Sequence, residues 1–152
     1  IAIQGFTGAA RRLEIAIERP EKNFTVYRDF AHAPSKLKAT QAGVVGSYPD
    51  RSVTAVFELH TFSSLNKQFL PQYKGSMNAV DHAVVFYDPD VVKHKKLPAI
   101  SKQEVIACFG REDVEVITSV DQLENRLQDI PKENHCVLMM SSGRFGGADI
   151  PQ

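Results

Sequence analysis

The sequence has no tryptophan, only two cysteines, no excess of either charge and no long hydrophobic run. Two cysteines cannot build a disulfide framework, and Cys108 and Cys136 both lie in apolar stretches, so we expect buried free thiols in a reducing cytosol. No apolar segment approaches the roughly 18 residues that span a bilayer, and no signal peptide is visible. Basic and acidic residues number 18 each, which argues against nucleic acid or anionic membranes as partners.

The composition that remains is that of a globular domain. Of the 152 residues, 43% are hydrophobic and 24% are charged, which is ordinary for one domain with a sizeable core. Because the first residue is Ile1 and not methionine, we expect the chain to begin inside a longer polypeptide.

Two strands are predicted at the start of the chain. Apolar and polar residues alternate from Leu13 to Glu18, which predicts a half-buried strand with Leu13, Ile15 and Ile17 on one face. A turn at 20–23 and a second strand at 24–30 complete an antiparallel hairpin. Further strands, apolar enough to be buried on both faces of a parallel sheet, are predicted at 52–59, 82–87 and 135–140, with a short one at 114–117.

Helical segments alternate with these strands. Pro34 suits the first position of a helix over 35–46, whose inward residues we predict to be Leu37, Thr40, Ala42 and Val45. A capping box formed by Ser101 and Glu104 opens a helix to about 109. Two more helices are predicted, at 65–80 (in two pieces around Pro71 and Gly75) and at 119–129, and 91–99 is predicted to be a loop.

This alternation predicts an α/β fold, a Rossmann-like three-layer sandwich. About six mostly parallel strands would form the sheet, with an antiparallel N-terminal edge strand and with helices on both faces. In open sheets of this kind, ligands bind beyond the carboxyl ends of the strands. Four polar groups follow such ends and should converge on one edge: Asp29 with His32; His60 with Thr61 and Ser63; Tyr87 with Asp88; and the turn Ser141–Gly147.

Several specific chemistries are absent from the sequence. It contains no P-loop motif, and no helix follows the Gly-rich turn at 143–147, as a dinucleotide fingerprint requires. The histidines and cysteines lack zinc-ligand spacing, and no Gly-x-Ser-x-Gly elbow of a serine hydrolase occurs. Taken singly, Asp29 could be a capping residue, His32 and His60 loop histidines, Arg12 an edge charge, and the Gly-rich turn a plain loop.

Taken together, four motifs carry a resemblance to a known family. They are GAARRLE (8–14), VYRDFAHAP (26–34), AVFELHTFSS (55–64) and MSSGRFGG (140–147). In this order they resemble the C-terminal domain of the Mur ligases, ATP-dependent enzymes that build peptidoglycan precursors. Within that family the motifs look most like the muropeptide ligase of cell-wall recycling.

The resemblance implies a role for the chain and for its residues. The ligase would use ATP and Mg²⁺ to join the tripeptide L-Ala-γ-D-Glu-meso-diaminopimelate to UDP-N-acetylmuramate in the bacterial cytoplasm. Residues 1–152 would be its C-terminal domain, inactive alone, while absent N-terminal and central domains bind UDP and most of the ATP and Mg²⁺. By resemblance, Arg12 and Asp29 would bind ATP, and the incoming substrate would be bound by Phe30, His32, His60, Thr61, Ser63 and Arg144.

Departures from the family pattern leave two alternatives open. The branch that adds L-alanine usually has arginines where Thr61 and Ser64 stand, and a tyrosine where Phe30 stands. Loss of those arginines favours a longer substrate, whose carboxylates would be held elsewhere, for example by Arg144. The alternatives are therefore the same domain of UDP-N-acetylmuramate–L-alanine ligase, and a non-catalytic α/β binding module.

Overall fold

The computed structural model describes residues 13–149, and these form a six-stranded sheet with helices packed on both faces. The strands lie in the order β1-β2-β6-β3-β4-β5. They are β1 (Glu14–Arg19), β2 (Phe24–Asp29), β3 (Ser52–Glu58), β4 (His82–Phe86), β5 (Glu115–Ile117) and β6 (His135–Met140). The α-helices of the described residues are α1 (Pro34–Ser47), α2 (Pro89–His94), α3 (Lys102–Phe109) and α4 (Val120–Gln128).

The predicted fold class is confirmed. Strands β2, β6, β3, β4 and β5 pair in parallel, and β1 pairs antiparallel with β2 at one edge. Alternate side chains of β3 enter opposite cores, since Phe57 packs on one face and Val56 on the other. The first face is covered by α1, α2, α3 and the segment 59–80, and the second by α4 and Phe145. Within residues 13–149 we find no helix with the length and apolarity needed to cross a membrane.

The prediction that Leu13, Ile15 and Ile17 lie on one face of the first strand is wrong. The register between β1 and β2 shifts between Ile15 and Ile17, which marks a bulge. Because the bulge adds one residue, Leu13 packs on the face covered by α1, while Ile17 packs on the opposite face. Ile15 is left 54% exposed. A period-2 pattern assumes an unbroken pleat, and one inserted residue is enough to invert it.

The inward face of α1 also differs from the prediction. Its buried residues are Leu37, Gln41 and Val44, at the i, i+4, i+7 spacing of one helix stripe. Of the other predicted residues, Ala42 is exposed, and Thr40 and Val45 are partly buried. The pattern of apolar residues could not identify Gln41 as buried, because its side chain is polar. Its amide nitrogen donates to the carbonyls of Leu37 (3.0 Å) and Ser76 (2.8 Å), and these hydrogen bonds offset the cost of burial.

The predicted helix at 65–80 is replaced by turns and one short 3₁₀ helix, Leu70–Tyr73. Pro71 supplies no N–H for an α-helical ladder, and Gly75 has a φ of +77° that no helix accommodates. Leu65 and Met77 are nevertheless buried. The apolar spacing therefore predicted correctly that these residues are buried, but successive turns bury them, not a helix.

Residues 89–94 form a helix, although 91–99 was predicted to be a loop. α2 begins after Asp88, whose Oδ1 accepts the Asp90 N–H at 2.9 Å, and only Val92 of this helix is buried. One buried residue leaves no periodic signal in the sequence. By contrast, the capping box of Ser101 and Glu104 is confirmed, with both reciprocal hydrogen bonds at 3.1 Å.

Candidate functional site

The carboxyl ends of four neighbouring parallel strands, β2, β6, β3 and β4, meet at one edge of the sheet. A cleft of about 1120 Å³ opens there. Each of the four predicted polar groups contributes to its wall: Asp29 at the end of β2, His60 from the loop after β3, Asp88 after β4, and residues 141–147 after β6. The buried apolar strands thus bring together residues that lie more than 100 positions apart in sequence.

Asp29 ends β2 as a buried carboxylate, 6% exposed. Its Oδ2 accepts a hydrogen bond from the Thr40 hydroxyl of α1 at 2.7 Å, and its backbone carbonyl accepts the Ser141 N–H at 3.0 Å. These contacts orient the carboxylate at the wall of the cleft. Thr40 was expected in the core, so its role as a hydrogen-bond donor to a site residue was missed; no spacing rule links it to Asp29.

Glu58, the last residue of β3, is a site residue that the sequence analysis missed. It is 4% exposed, and its Oε1 accepts two hydrogen bonds, from the Ser141 hydroxyl at 2.6 Å and from the Phe145 N–H at 2.8 Å. A buried carboxylate needs such donors to offset its lost hydration. Glu58 therefore ties the end of β3 to the turn that follows β6. The sequence signal for it was a lone charge in a strand that has no other charged residue.

His60 lies between Glu58 and the same turn. Its Nδ1 is 3.7 Å from Oε2 of Glu58, and 40% of its side chain is exposed. The ring packs so close to Gly143 that a Cβ there would lie 2.8 Å from the imidazole Cδ2. A glycine at 143 is therefore required for this placement of the histidine, and one edge of the imidazole remains open to solvent and ligand.

The turn after β6 has an unusual backbone. Phe145, Gly146 and Gly147 have φ values of +55°, +63° and +87°, a region that favours glycine. Phe145 is 8% exposed and packs with the core on the α4 face, which anchors the turn. Arg144, by contrast, is exposed and lines the cleft.

Of the other residues predicted to bind the substrate, one lines the cleft and three do not. Phe30 lines the cleft and is 55% exposed, whereas His32, Thr61 and Ser63 do not line it. His32 is exposed, with its Nδ1 3.0 Å from the Phe30 carbonyl. Arg12 lies outside the described residues, as do the other residues of the first motif up to position 12.

The loop after His60 is held by hydrogen bonds between its own residues. The Ser64 N–H donates to the Thr61 hydroxyl at 3.0 Å, and the Ser64 hydroxyl donates to the Thr61 carbonyl at 3.1 Å. Ser64 is fully buried. Residues 61–64 carry no charged side chain, so this loop offers no cation to a carboxylate.

Tyr87 and the cysteines also lie away from the cleft. The Tyr87 hydroxyl donates to the Ile100 carbonyl at 2.6 Å in the core, and burial raises the pKa of this phenol. Cys136 is buried, Cys108 is half-buried, and both are free thiols whose pKa is raised chiefly by burial. Across residues 13–149, no three histidine, cysteine, aspartate or glutamate side chains come together in a way that could hold a metal ion.

A family model described as "Mur ligase, glutamate ligase domain" matches residues 11–143. Among curated relatives, the UDP-N-acetylmuramate–L-alanine ligase of Brachyspira hyodysenteriae is 27% identical over 145 residues, which are 94% of this chain and 30% of that protein. The chain therefore spans about a third of the length of such relatives.

Solved structures of two similar proteins share the fold. A domain from Haemophilus ducreyi, described as part of a UDP-N-acetylmuramate:L-alanyl-γ-D-glutamyl-meso-diaminopimelate ligase, is 28% identical with a TM-score of 0.57, and the match covers 90% of this chain and 92% of that domain. The UDP-N-acetylmuramate–alanine ligase of Thermotoga maritima is 19% identical with a TM-score of 0.66, over 90% of this chain and 27% of that one.

Proposed function

The chain belongs to the Mur ligase family, and from that premise we propose that it is the C-terminal domain of an ATP-dependent amide-forming ligase. The ligase would join the tripeptide L-Ala-γ-D-Glu-meso-diaminopimelate to UDP-N-acetylmuramate during peptidoglycan recycling in the bacterial cytoplasm. The remaining two thirds of the protein, absent from this chain, would carry the UDP site and most of the ATP and Mg²⁺ site. The 152 residues alone would then be inactive.

The observation that carries this proposal is the cleft at the carboxyl ends of the parallel strands. It presents hydrogen-bond acceptors and basic side chains on the same wall, namely Asp29, the Glu58–His60 pair and Arg144. Asp29 is held by Thr40 and suits the hydroxyls of a ribose, since a carboxylate accepts hydrogen bonds from paired hydroxyls. Arg12 would reach the nucleotide phosphates with paired charge-assisted bonds.

In this reaction, ATP and Mg²⁺ supply activation of the muramate carboxylate as an acyl phosphate. An amine then attacks the acyl carbon, a C–N bond forms, phosphate leaves, and the amine loses a proton. The chain's own residues would position the attacking amine, with His60 on the acceptor side, where Glu58 and Gly143 fix its ring. A domain that closes over ATP and supplies one substrate edge also excludes water from the acyl phosphate.

The choice of the tripeptide over alanine rests on the loop after β3. In the alanine-adding branch, arginines at positions 61 and 64 would hold the alanine carboxylate. Here, Thr61 and Ser64 bond to each other, and Ser64 is buried. The basic side chains that line the cleft within the described residues are Arg28, His60 and Arg144. With His60 beside the amine, Arg28 and Arg144 would be left for the carboxylates of a longer substrate. His32, Thr61 and Ser63 would act only if closure moves them toward the substrate.

The second candidate is the domain of a UDP-N-acetylmuramate–L-alanine ligase. The names of sequence relatives such as that of Brachyspira hyodysenteriae favour it, at 27% identity. A non-catalytic module is the third candidate, and it would keep the fold without turnover.

The test is phosphate release from ATP by the longer polypeptide that we expect to contain this chain. UDP-N-acetylmuramate is supplied with either L-alanine or the tripeptide, and a reaction without amine is the control. We expect release with the tripeptide and little with alanine. Release with alanine alone would assign the chain to the biosynthetic branch, and no release with either would favour the non-catalytic module. Asp29→Asn should raise the KM for ATP more than the KM for the amine.

A further inference from the structure

Residues at the ends of β3 and β6 form a closed network beside the cleft. The Gly143 N–H donates to the hydroxyl oxygen of Ser141 at 2.7 Å, and that hydroxyl donates to Oε1 of Glu58 at 2.6 Å. The other carboxylate oxygen, Oε2, lies 3.7 Å from Nδ1 of His60, whose ring packs back against Gly143. Each member of the network is therefore held by two others.

The imidazole of His60 lies flat over Gly143. A Cβ at position 143 would lie 2.8, 2.9 and 3.0 Å from Cδ2, Cγ and Nε2 of the ring. Nearly equal distances to three ring atoms mean that the ring presents its face to the turn, so its nitrogens point sideways. Nδ1 faces the carboxylate of Glu58, which is an acceptor. Nδ1 therefore carries the proton, and Nε2 keeps a lone pair.

The Nε2 lone pair of His60 is free within residues 13–149, where no side chain or backbone group forms a hydrogen bond with it. The side chain is 40% exposed and lines the cleft. The buried His135 differs, because its Nε2 lies 2.7 Å from the Thr54 hydroxyl, as is usual for a polar group in a core. His60 thus presents a proton acceptor to a ligand in the cleft, in a fixed orientation.

We propose that His60 is the catalytic residue that accepts the proton of the attacking amine, and that Glu58 and Ser141 are its positioning residues. The inference rests on the proposed function, but it holds for either amine. As the neutral amine nitrogen bonds to the acyl carbon, one N–H bond breaks and its proton passes to Nε2. The C–O bond to phosphate then breaks, and phosphate leaves with the electron pair. Oε2 of Glu58 offsets the charge of the imidazolium that forms.

The reaction needs a proton acceptor at this point. The nitrogen of the tetrahedral adduct is positively charged, and the adduct reverts to amine and acyl phosphate unless a proton is removed. Where closure excludes water, the acceptor has to be a side chain. Among the described residues that line the cleft, His60 is the only histidine. Three carboxylates of the cleft already accept hydrogen bonds from the protein: Asp29, Glu58 and Asp88.

Hydroxylamine separates the proton transfer from the activation of the carboxylate. It is a neutral nucleophile at the assay pH, and it converts an acyl phosphate to a hydroxamate without help from a base. With the longer polypeptide, ATP, Mg²⁺ and UDP-N-acetylmuramate, we would measure hydroxamate formation and, separately, kcat and KM for the amine. In His60→Gln we expect kcat to fall by about 100-fold or more, with hydroxamate formation close to that of the wild type.

The positioning residues should have a smaller effect on the ratio of amide to hydroxamate formation. Glu58→Gln keeps a neutral acceptor for Ser141 but removes the charge beside Nδ1, so the ratio should fall about 5-fold, as for a partly exposed ion pair. Ser141→Ala, which opens the network, should lower it as well. Both reactions are measured in one sample, so a smaller folded fraction does not change the ratio. His82→Gln is the matched control, because His82 is exposed at the opposite edge of the sheet, where β4 begins.

Equal losses of kcat and of hydroxamate formation in His60→Gln would overturn the proposal, since the histidine would then serve folding or activation. An unchanged kcat would overturn it as well, and an effect on KM alone would make His60 a binding residue. Hydroxamate formation by the wild type would support the proposed function independently of His60. A wild type that forms neither hydroxamate nor amide would overturn the proposed function, and this inference with it.

Discussion

Replacement of Glu58 by alanine should destabilise the domain strongly, although Glu58 is the last residue of its strand. The substitution removes the acceptor for the Ser141 hydroxyl and the Phe145 N–H, at 2.6 and 2.8 Å. Hydrogen bonds to a buried charged group are worth about 1.5–3 kcal/mol each. Part of that is offset because the carboxylate no longer has to be desolvated. We therefore expect a loss of about 3 kcal/mol for Glu58→Ala, and about half of that for Glu58→Gln, which keeps a neutral acceptor.

Urea denaturation of the 152-residue chain would measure this loss, since a similar domain from Haemophilus ducreyi has been solved by itself. Amide exchange at Phe145 would localise it to the turn. Glu124→Ala is the matched control, because Glu124 also accepts a backbone N–H, that of Asp149 at 2.9 Å, but at an exposed position. A cost below about 1 kcal/mol for Glu58→Ala, or an equal cost for Glu124→Ala, would refute the buried-anchor argument.

Three further predictions concern stability. Burial, reinforced by the neighbouring His82, lowers the pKa of His135 from 6.5 to about 4. The unfolded chain then binds a proton at this histidine more readily than the folded chain does. The free energy of unfolding should therefore fall by about 3 kcal/mol as the pH drops from 6.5 to 4. Denaturation of the wild type and of His135→Gln across this pH range would isolate the effect. Gly146→Ala should cost about 2 kcal/mol or more, because of its positive φ and a Cβ only 2.7 Å from Val120 Cγ2, as measured by urea midpoint. Arg111→Lys should lose about 1–2 kcal/mol by the same assay, because the guanidinium donates to three backbone carbonyls at 2.7–2.8 Å and an ammonium cannot reach all of them.

Each of these has a result that contradicts it. Identical pH profiles for His135→Gln and wild type would show that other groups control acid stability. Gly147→Ala, where a Cβ meets nothing within 4 Å, should cost less than Gly146→Ala, and equal costs would remove the steric argument. Full stability in Arg111→Lys would mean that water replaces the lost donors.

The sequence predicted the strands well, because buried parallel strands are continuous apolar runs. The prediction for β6, 135–140, coincides with the observed strand, and the capping box located α3. The failures have physical causes. Apolar spacing at 65–80 is the same for a helix and for successive turns around Pro71, and the bulge at Ile15–Ile17 is a property of strand pairing that one strand does not reveal.

The site was predictable only in part. Parallel topology alone brings the residues after β2, β3, β4 and β6 to one edge, which is why Asp29, His60 and Arg144 lie in one cleft. Whether a loop residue then turns toward the cleft depends on local hydrogen bonds, such as those that close 61–64. Glu58 was missed because its partners, Ser141 and Phe145, are more than 80 residues away.

The central position of β6 has a consequence for biosynthesis. β6 is the last strand in the chain, yet it lies between β2 and β3 and is hydrogen-bonded to both. Until residues 135–140 have emerged from the ribosome, the sheet consists of two halves that share no strand pairing, β1–β2 and β3–β4–β5. We expect nascent chains that stop at 134 to remain protease-sensitive, and chains released a few residues after the turn at 141–147 to fold in one step.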